Sequence, residues 1–558
     1  MSKLTLFTLL IIFTVLPVTA EPDSRRFYPD DPLWQDADNL TIPAPEEWTL
    51  SDYYDFVENT FLKVGTPDQP VPAMDVNTLG EVPDSSWYTN RHAFRRMSLA
   101  ELTKGPNTGE GPDMSGPWRV IRGKSAGITP GFVIRDARDD MYFIKFDPMT
   151  NPEMATGAEI ISTKFFYAIG YHVPENYLVR IDPSILTIDP QARYTDLWGN
   201  KKAITPEVLD DILRRVPHQA DGRIRAVASK ALDGRPVGPF KYYGTRADDA
   251  NDIFPHEHRR VLRGLYVIAA WLNHDDSRSI NSLDVFVAEG DSGYIRHHLM
   301  DFGSCLGSGS VRIQSLRAGW EYMVEWSAIF KGIATLGLWV RPYLKADYPD
   351  YPSIGRLEYE RFDPAGWKPE YPNPAFQNML LDDAFWGARQ VMAFTDEEIA
   401  AVCRIGEYSD PAAEAWLVRC LRERRDKTGR HWLTRLQPVH DFAIEGDMLV
   451  FRNLGLAAGL PAENLSYGYA WYAFDNETGV VSSLDRRGQT ADPAVALPEH
   501  LPENRTAGTV AKYFLVKIVA ETSSQPLWRL PVSVYLRHDG GGWTVVGIER
   551  AGGDIFAR

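Results

Sequence analysis

The sequence predicts an α+β chain in three parts: a small β-rich lobe, a larger helical lobe and a C-terminal antiparallel β domain. Three patterns carry this reading. Between Trp118 and Asp147, short apolar strands alternate with small-residue turns. After Pro255, apolar residues recur at three- and four-residue spacing, as on the buried face of a helix. Beyond about residue 440 the period drops to two. Strand runs and helix runs kept apart along a chain mark an α+β architecture.

The elements follow in chain order. Residues 1–20 read as an export signal, with Lys3, an apolar run from Leu4 to Val18, and Val18-Thr19-Ala20 before Glu21. The run is shorter than the roughly 20 apolar residues that span a bilayer, which favours cleavage over a single membrane anchor. The expected location is therefore outside the cytosol: periplasm, extracellular space or secretory lumen. No later stretch is long and apolar enough to cross a membrane. Residues 21–115, rich in Pro, Asp, Trp and Tyr, are expected to form an irregular extension draped on the first lobe. In residues 116–182, WRVIRGK and GFVIRD are strands around the turn SAGITP, and MYFIKFD is a third strand. Asn151-Pro152 opens a helix with Ala158, Ile161, Phe165 and Ala168 on one face, Gly170 ends it, and ENYLVRID is a further strand.

Residues 183–437 are expected to be the helical lobe with insertions. The stretch is polar to about residue 250, with a helix start at Thr205-Pro206-Glu207. An amphipathic helix then carries Val261, Leu265, Ile268 and Leu272 on one face and runs into NHDDSRSIN. A hairpin follows, LDVFVAE and YIRHHLMDFG around Gly290-Asp291-Ser292-Gly293. Residues 311–437 read as largely helical with Pro-rich interruptions, and Thr395 with Glu398 forms a capping box. Residues 440–558 read as a β-sandwich-like domain, with strands such as YGYAWYAF and KYFLVKIVA.

The composition, 44% hydrophobic and 24% charged, suits packed cores, and the length suits two or three of them. A formal charge of −16 argues against a nucleic-acid partner, since phosphate binding needs a basic field. Three cysteines make no disulfide framework; Cys403 and Cys420 either form one bridge or stay buried thiols.

Several chemistry-bearing residues stand in a consistent order. Lys145 lies on a strand among apolar neighbours, where an ammonium needs an anion unless it points to water from a sheet edge. Glu159 on the next helix is the preferred partner, and Glu153 the rival. Asp276 and Asn281, five residues apart, follow a buried helix and precede a strand. They reach into one cleft, or Asp275 and Asp276 are simple turn acids. Asp301 ends the hairpin before Phe-Gly, a placement suited to metal ligation. His256-Glu257-His258 lacks the i, i+4 spacing of a helical zinc site. The aromatics of YGYAWYAF either pack a β core or form a sugar platform.

A lysine on the third strand, a helix glutamate, D-x-x-x-x-N after a long helix, and DFG together resemble the protein-kinase-like superfamily. Because the loop reads NHDDSRSIN, the likeness is to its atypical branches, such as HipA-type bacterial kinases and lipid or secretory-pathway kinases. The resemblance covers roughly residues 118–430 and implies a bilobal protein-kinase-like fold with a β-rich N-lobe and helical C-lobe. It also implies ATP or another nucleotide with Mg²⁺ or Mn²⁺. Asp276 would be the catalytic acid/base, Asn281 and Asp301 the metal ligands, and Lys145 with Glu159 the phosphate-clamping pair. Gly123, Ser125 and Gly127, in GKSAG, would cover the phosphates, although the loop is not G-x-G-x-x-G. The implied activity is phosphoryl transfer to a hydroxyl of a protein, lipid or sugar. Extracellular compartments hold little ATP, which leaves two alternatives: an inactive kinase-shaped ligand-binding scaffold whose β domain docks a protein partner, or a nucleotidyl transferase using the same residues.

Overall fold

The computed structural model describes residues 25–557 apart from 37, 39, 67–68, 124–130, 197–198, 291 and 499–511. The expected export signal, Ser125 and Gly127 lie outside the described residues. The structure is a mixed α+β arrangement with several antiparallel sheets.

A seven-stranded sheet runs in the order Asn176–Ile181, Ile224–Lys230, Met141–Phe146, Gly131–Arg135, Trp118–Gly123, Leu186–Thr195, Lys201–Ala203. Its neighbours are antiparallel except Trp118–Gly123 with Leu186–Thr195, which are parallel. The sheet therefore extends to Lys230, and the boundary expected at 182 falls inside it. Ile224–Lys230 is buried over all but its last residue and sits between two strands. A strand covered on both faces lacks the alternation that marks a half-buried one, and the polar segment before it hides the pairing.

The Met154–Ile169 helix wedges between this sheet and the helical layer, buried at every position except Tyr167. Asp147 starts it by accepting from the Thr156 amide at 2.9 Å and the Thr156 hydroxyl at 2.8 Å. On its far side Phe165 meets Trp271 and Phe394 edge-on. The Arg260–Leu272 helix is wholly buried and crosses Leu381–Met392 where Gly264 faces Gly387 and Trp386. Arg260 and Arg263 both bond the buried Asp383 carboxylate, at 3.0 and 3.3 Å. After residue 311 the longer helices begin at Leu381, preceded by the nine-residue Trp326–Ala334 helix and the short Pro374–Gln377 turn of helix. Between residues 311 and 373 the chain is mostly irregular, because prolines at 342, 349, 352, 364, 369 and 372 interrupt the backbone ladder.

The hairpin Ser282–Glu289 with Ser292–Leu299 is the centre of a four-stranded sheet completed by Arg235–Gly238 and Ile42–Pro43. After residue 438 come a three-stranded and a five-stranded antiparallel sheet around one core that includes Leu449, Trp471, Val516 and Trp528. Tyr467 and Trp471 of the YGYAWYAF run point into that core. The N-terminal extension does not rest on the first sheet alone, as the sequence suggested. Phe27 is buried against Phe474, Tyr513 and Tyr535 of the C-terminal β region, and Trp87 stacks on His297 of the hairpin at 3.5 Å. Leu99–Lys104 packs on the Met154–Ile169 helix. Weak periodicity gave no sign of these long-range anchors. Cys305, Cys403 and Cys420 are all free and buried.

Candidate functional site

Lys145 lies near the end of Met141–Phe146 and points toward the Met154–Ile169 helix. Its Nζ donates to both carboxylate oxygens of Glu159 at 3.1 Å and to Asp301 Oδ1 at 3.0 Å. Glu159 is only 1% exposed, and Asn176 Nδ2 gives it a further bond at 3.1 Å. Burial alone lowers the Lys145 ammonium, but Asp301 and Glu159 outweigh it and hold the group charged. The rival Glu153 turns away and accepts from the Ser409 amide and hydroxyl.

The loop after Arg260–Leu272 begins at Asn273, a left-handed residue (φ 51°) that stops the helix. Its side chain bonds Gln314 and Trp367, fixing the exit direction. His274 is buried beside Phe166 and Phe302, and burial pushes its imidazole down to about 4, so it is neutral. Asp275 and Asp276 face different partners. Asp275 accepts from Gln314 Nε2 at 2.7 Å. Asp276 forms an ion pair with Arg278, and burial pushes its carboxyl up to about 6 against that neighbour. Asn281 Nδ2 donates to the Asp276 carbonyl at 2.8 Å.

The hairpin brings Asp301 to the same place. Met300 N donates to Asn281 O at 3.0 Å, continuing the ladder in which Ser282 faces Leu299. Asp301 itself is left-handed (φ 63°), a conformation that aspartate tolerates better than bulkier residues. Phe302 is fully buried and stacks on Phe166 at 4.6 Å, which anchors the acid before it. A Cβ at Gly303 would lie 3.2 Å from both Glu159 Oε2 and Ser310 Oγ, so a side chain there would crowd the site.

Lys145, Glu159 and Asp301 thus meet directly, and Asn281 and Asp276 join them through the loop and the hairpin ladder. A cavity of about 40 Å³ lies against Lys145, Glu159, Asp301, Thr156 and Ser310. Gly123 packs where a Cβ would stand 2.7 Å from Tyr194 Cβ, so strand packing itself requires glycine there.

Sequence reasoning missed Arg278. It contacts Asp276, Asp52 at 2.9 Å and Glu370 at 3.3 Å. The one signal was a cation two residues after Asp276 in a loop otherwise rich in acids; its partners are remote in the chain.

Among the described residues no group of three or more His, Cys, Asp or Glu side chains is arranged to hold a metal ion. Asn281 and Asp301 still fit a hard cation that keeps most of its waters, since they offer an amide oxygen and a carboxylate. His256 is engaged by Asp252 and the Lys241 carbonyl, and His258 by Arg263. Comparison with known proteins gives no likeness: no family model, no curated protein and no solved structure matches the chain.

Proposed function

We propose that the chain is an atypical kinase-like phosphotransferase that moves a phosphate from ATP, or another nucleotide, to a hydroxyl acceptor. The observation that carries this reading is the Lys145 ammonium held between Glu159 at 3.1 Å and Asp301 at 3.0 Å, residues 14 and 156 positions away. In the same reading the seven-stranded sheet with the Met154–Ile169 helix is one lobe. The helices around Arg260–Leu272 are the other.

The chemistry asks the protein mainly for placed charges. Lys145, kept cationic by its two acids, binds phosphate oxygens. The Asn281 nitrogen is committed to the Asp276 carbonyl, which leaves its Oδ1 to ligate Mg²⁺ or Mn²⁺ with the Asp301 carboxylate. A metal held by these two side chains would supply positive charge against the phosphate oxygens. The acceptor oxygen bonds to the γ-phosphorus while the bond to the bridging oxygen breaks. The nucleoside diphosphate leaves with that electron pair, and the hydroxyl proton passes to Asp276. With a carboxyl pushed up to about 6, Asp276 is ionised at neutral pH yet basic enough to take the proton. Arg278 positions that carboxylate.

A second reading rests on the small cavity and on the internal pairing of Lys145 and Arg278: a kinase-shaped scaffold whose charges serve the fold. Thermal shift with ATP and GTP, each with Mg²⁺ or Mn²⁺, separates the two. The phosphotransferase should melt higher with nucleotide plus metal and lose that gain in Asp301→Asn. No shift under any condition would leave the scaffold. Mass spectrometry of a modified acceptor distinguishes an added phosphate from an added nucleotidyl group.

A further inference from the structure

We infer that residues 326–345 form a lipid-surface contact that seats the protein on an anionic bilayer. The Trp326–Ala334 helix and the turn after it present their apolar side chains outward. Leu336 is 91% exposed, Leu338 85%, Ile333 67% and Phe330 64%. Only Ala328 of the helix is buried. Single exposed apolar residues are ordinary, but a contiguous cluster of large ones marks a surface that another phase or molecule covers.

Charge selects the occupant. Between Trp326 and Lys345 the chain carries Lys331, Arg341 and Lys345 and no acid, in a protein whose formal charge is −16; Arg341 is engaged by Glu321, so Lys331 and Lys345 are the cations offered to a lipid surface. A short, basic, aromatic-rich amphipathic segment suits the boundary between headgroups and acyl chains, where cations meet anionic lipid and apolar side chains enter below them. Trp326 and Trp339 are of the type that favours that boundary. Lys331 and Arg341 lie over the Trp339 ring at 5.5 and 5.9 Å. No helix among the described residues is long and apolar enough to cross a membrane, so the contact is one lying on the surface.

The segment is also held at its base, which distinguishes it from a loose loop. Glu321 pairs with Arg341, and Glu325 pairs with Lys368. Met323 N donates to Glu370 O at 2.7 Å, and Glu370 N in turn donates to Asp275 O at 2.7 Å. The tip therefore projects from a neck tied to the loop that carries Asp276. The inference stands without the phosphotransferase reading.

The test is co-sedimentation of the full chain with vesicles of phosphatidylcholine alone and with about one third phosphatidylglycerol. Leu336→Glu/Leu338→Glu serves as the variant, and Ile253→Glu, an isolated residue 67% exposed, as the control. The wild type and the control should pellet with anionic vesicles and less with neutral ones. The double variant should lose roughly tenfold or more of its bound fraction with an unchanged melting temperature, because both leucines lie outside the packed core. Wild type left in the supernatant with both vesicles, or a double variant that pellets equally, overturns the inference. So does pelleting without lipid. A concentration-dependent dimer abolished by the double variant, with no vesicle binding, would assign the face to a second copy instead.

Discussion

Lys145 and Glu159 illustrate why a buried charge pair is weak evidence of stability yet strong evidence of arrangement. Removing one partner leaves the other in a low-dielectric site, which costs about 3–5 kcal/mol, whereas removing both charges is far milder. Lys145→Met should therefore lower the melting temperature markedly, because Glu159 keeps only the Asn176 amide. Adding Glu159→Gln in the same chain should recover most of the loss; a double variant as unstable as the single would show that the pair is not what holds these elements together. Asp276 gives a pH signature of opposite sign in stability and activity. Its carboxyl is raised from 3.8 to about 6, first by burial. The folded state thus holds a proton that the unfolded chain has released, so this residue's contribution to stability is complete below about pH 4 and fades as pH rises through 6. In the proposed phosphoryl transfer Asp276 acts as base in its ionised form, so kcat/KM should rise with pH and level off above about 6. Asp276→Asn should cut kcat by about 10²–10⁴-fold without lowering the melting temperature at pH 8. A profile flat between pH 5 and 7 would remove Asp276 from the role of base.

Elements place these residues, and the crossing of two helices sets where the loop emerges. A Cβ at Gly264 would sit 2.5 Å from Trp386 Cε3, and one at Gly387 would sit 2.7 Å from the Gly264 carbonyl. In an open helix Gly→Ala gains up to ~1 kcal/mol. Here the clash with a fully buried indole and with backbone outweighs it, since overpacking typically costs 1–3 kcal/mol. Gly264→Ala should melt several degrees lower and, on the proposed phosphotransferase reading, weaken nucleotide binding, because Arg260–Leu272 ends directly at Asn273; a variant that melts higher would show that Trp386 yields. The same elements show what the sequence could reveal. The strands around Lys145, the Met154–Ile169 helix, the Arg260–Leu272 helix and the 282–299 hairpin were legible because each has a local period and a local stop signal. The parallel pairing of Trp118–Gly123 with Leu186–Thr195 was not, since partners about 70 residues apart leave no mark on either segment. Glu159 could be preferred to Glu153 because it lies beside the helix's apolar face, although Ala158, Ile161 and Phe165 of that face pack into the core of the helical layer and not onto the sheet.

At the scale of the whole molecule the extension adds contacts across parts that also share a core through Phe385, Leu433 and Trp528. Phe27 enters the C-terminal β region, Glu81 pairs with Arg389 and His440, and the Asp52–Val57 helix reaches the Asp276 loop. None of this was legible, because an irregular segment has no period and its contacts depend on where distant chain folds. Its effect on the site is nevertheless calculable in sign. Asp52 shares the Arg278 guanidinium with Asp276, at 2.9 Å on its own side. Asp52→Asn removes a negative charge near Asp276 and leaves Arg278 to compensate the remaining acids more fully. Both effects favour the ionised form of Asp276, so its pKa should fall. Because Asp52 is nearly half exposed, water and salt screen the change, and the acidic limb of kcat/KM should move down by only a few tenths of a pH unit. The shift should shrink further in 0.5 M NaCl. A limb that moves upward would mean that Asp52 holds Arg278 in place rather than competing for its charge, since a guanidinium drawn away would leave Asp276 buried beside Glu370 and Asp301 with less compensation.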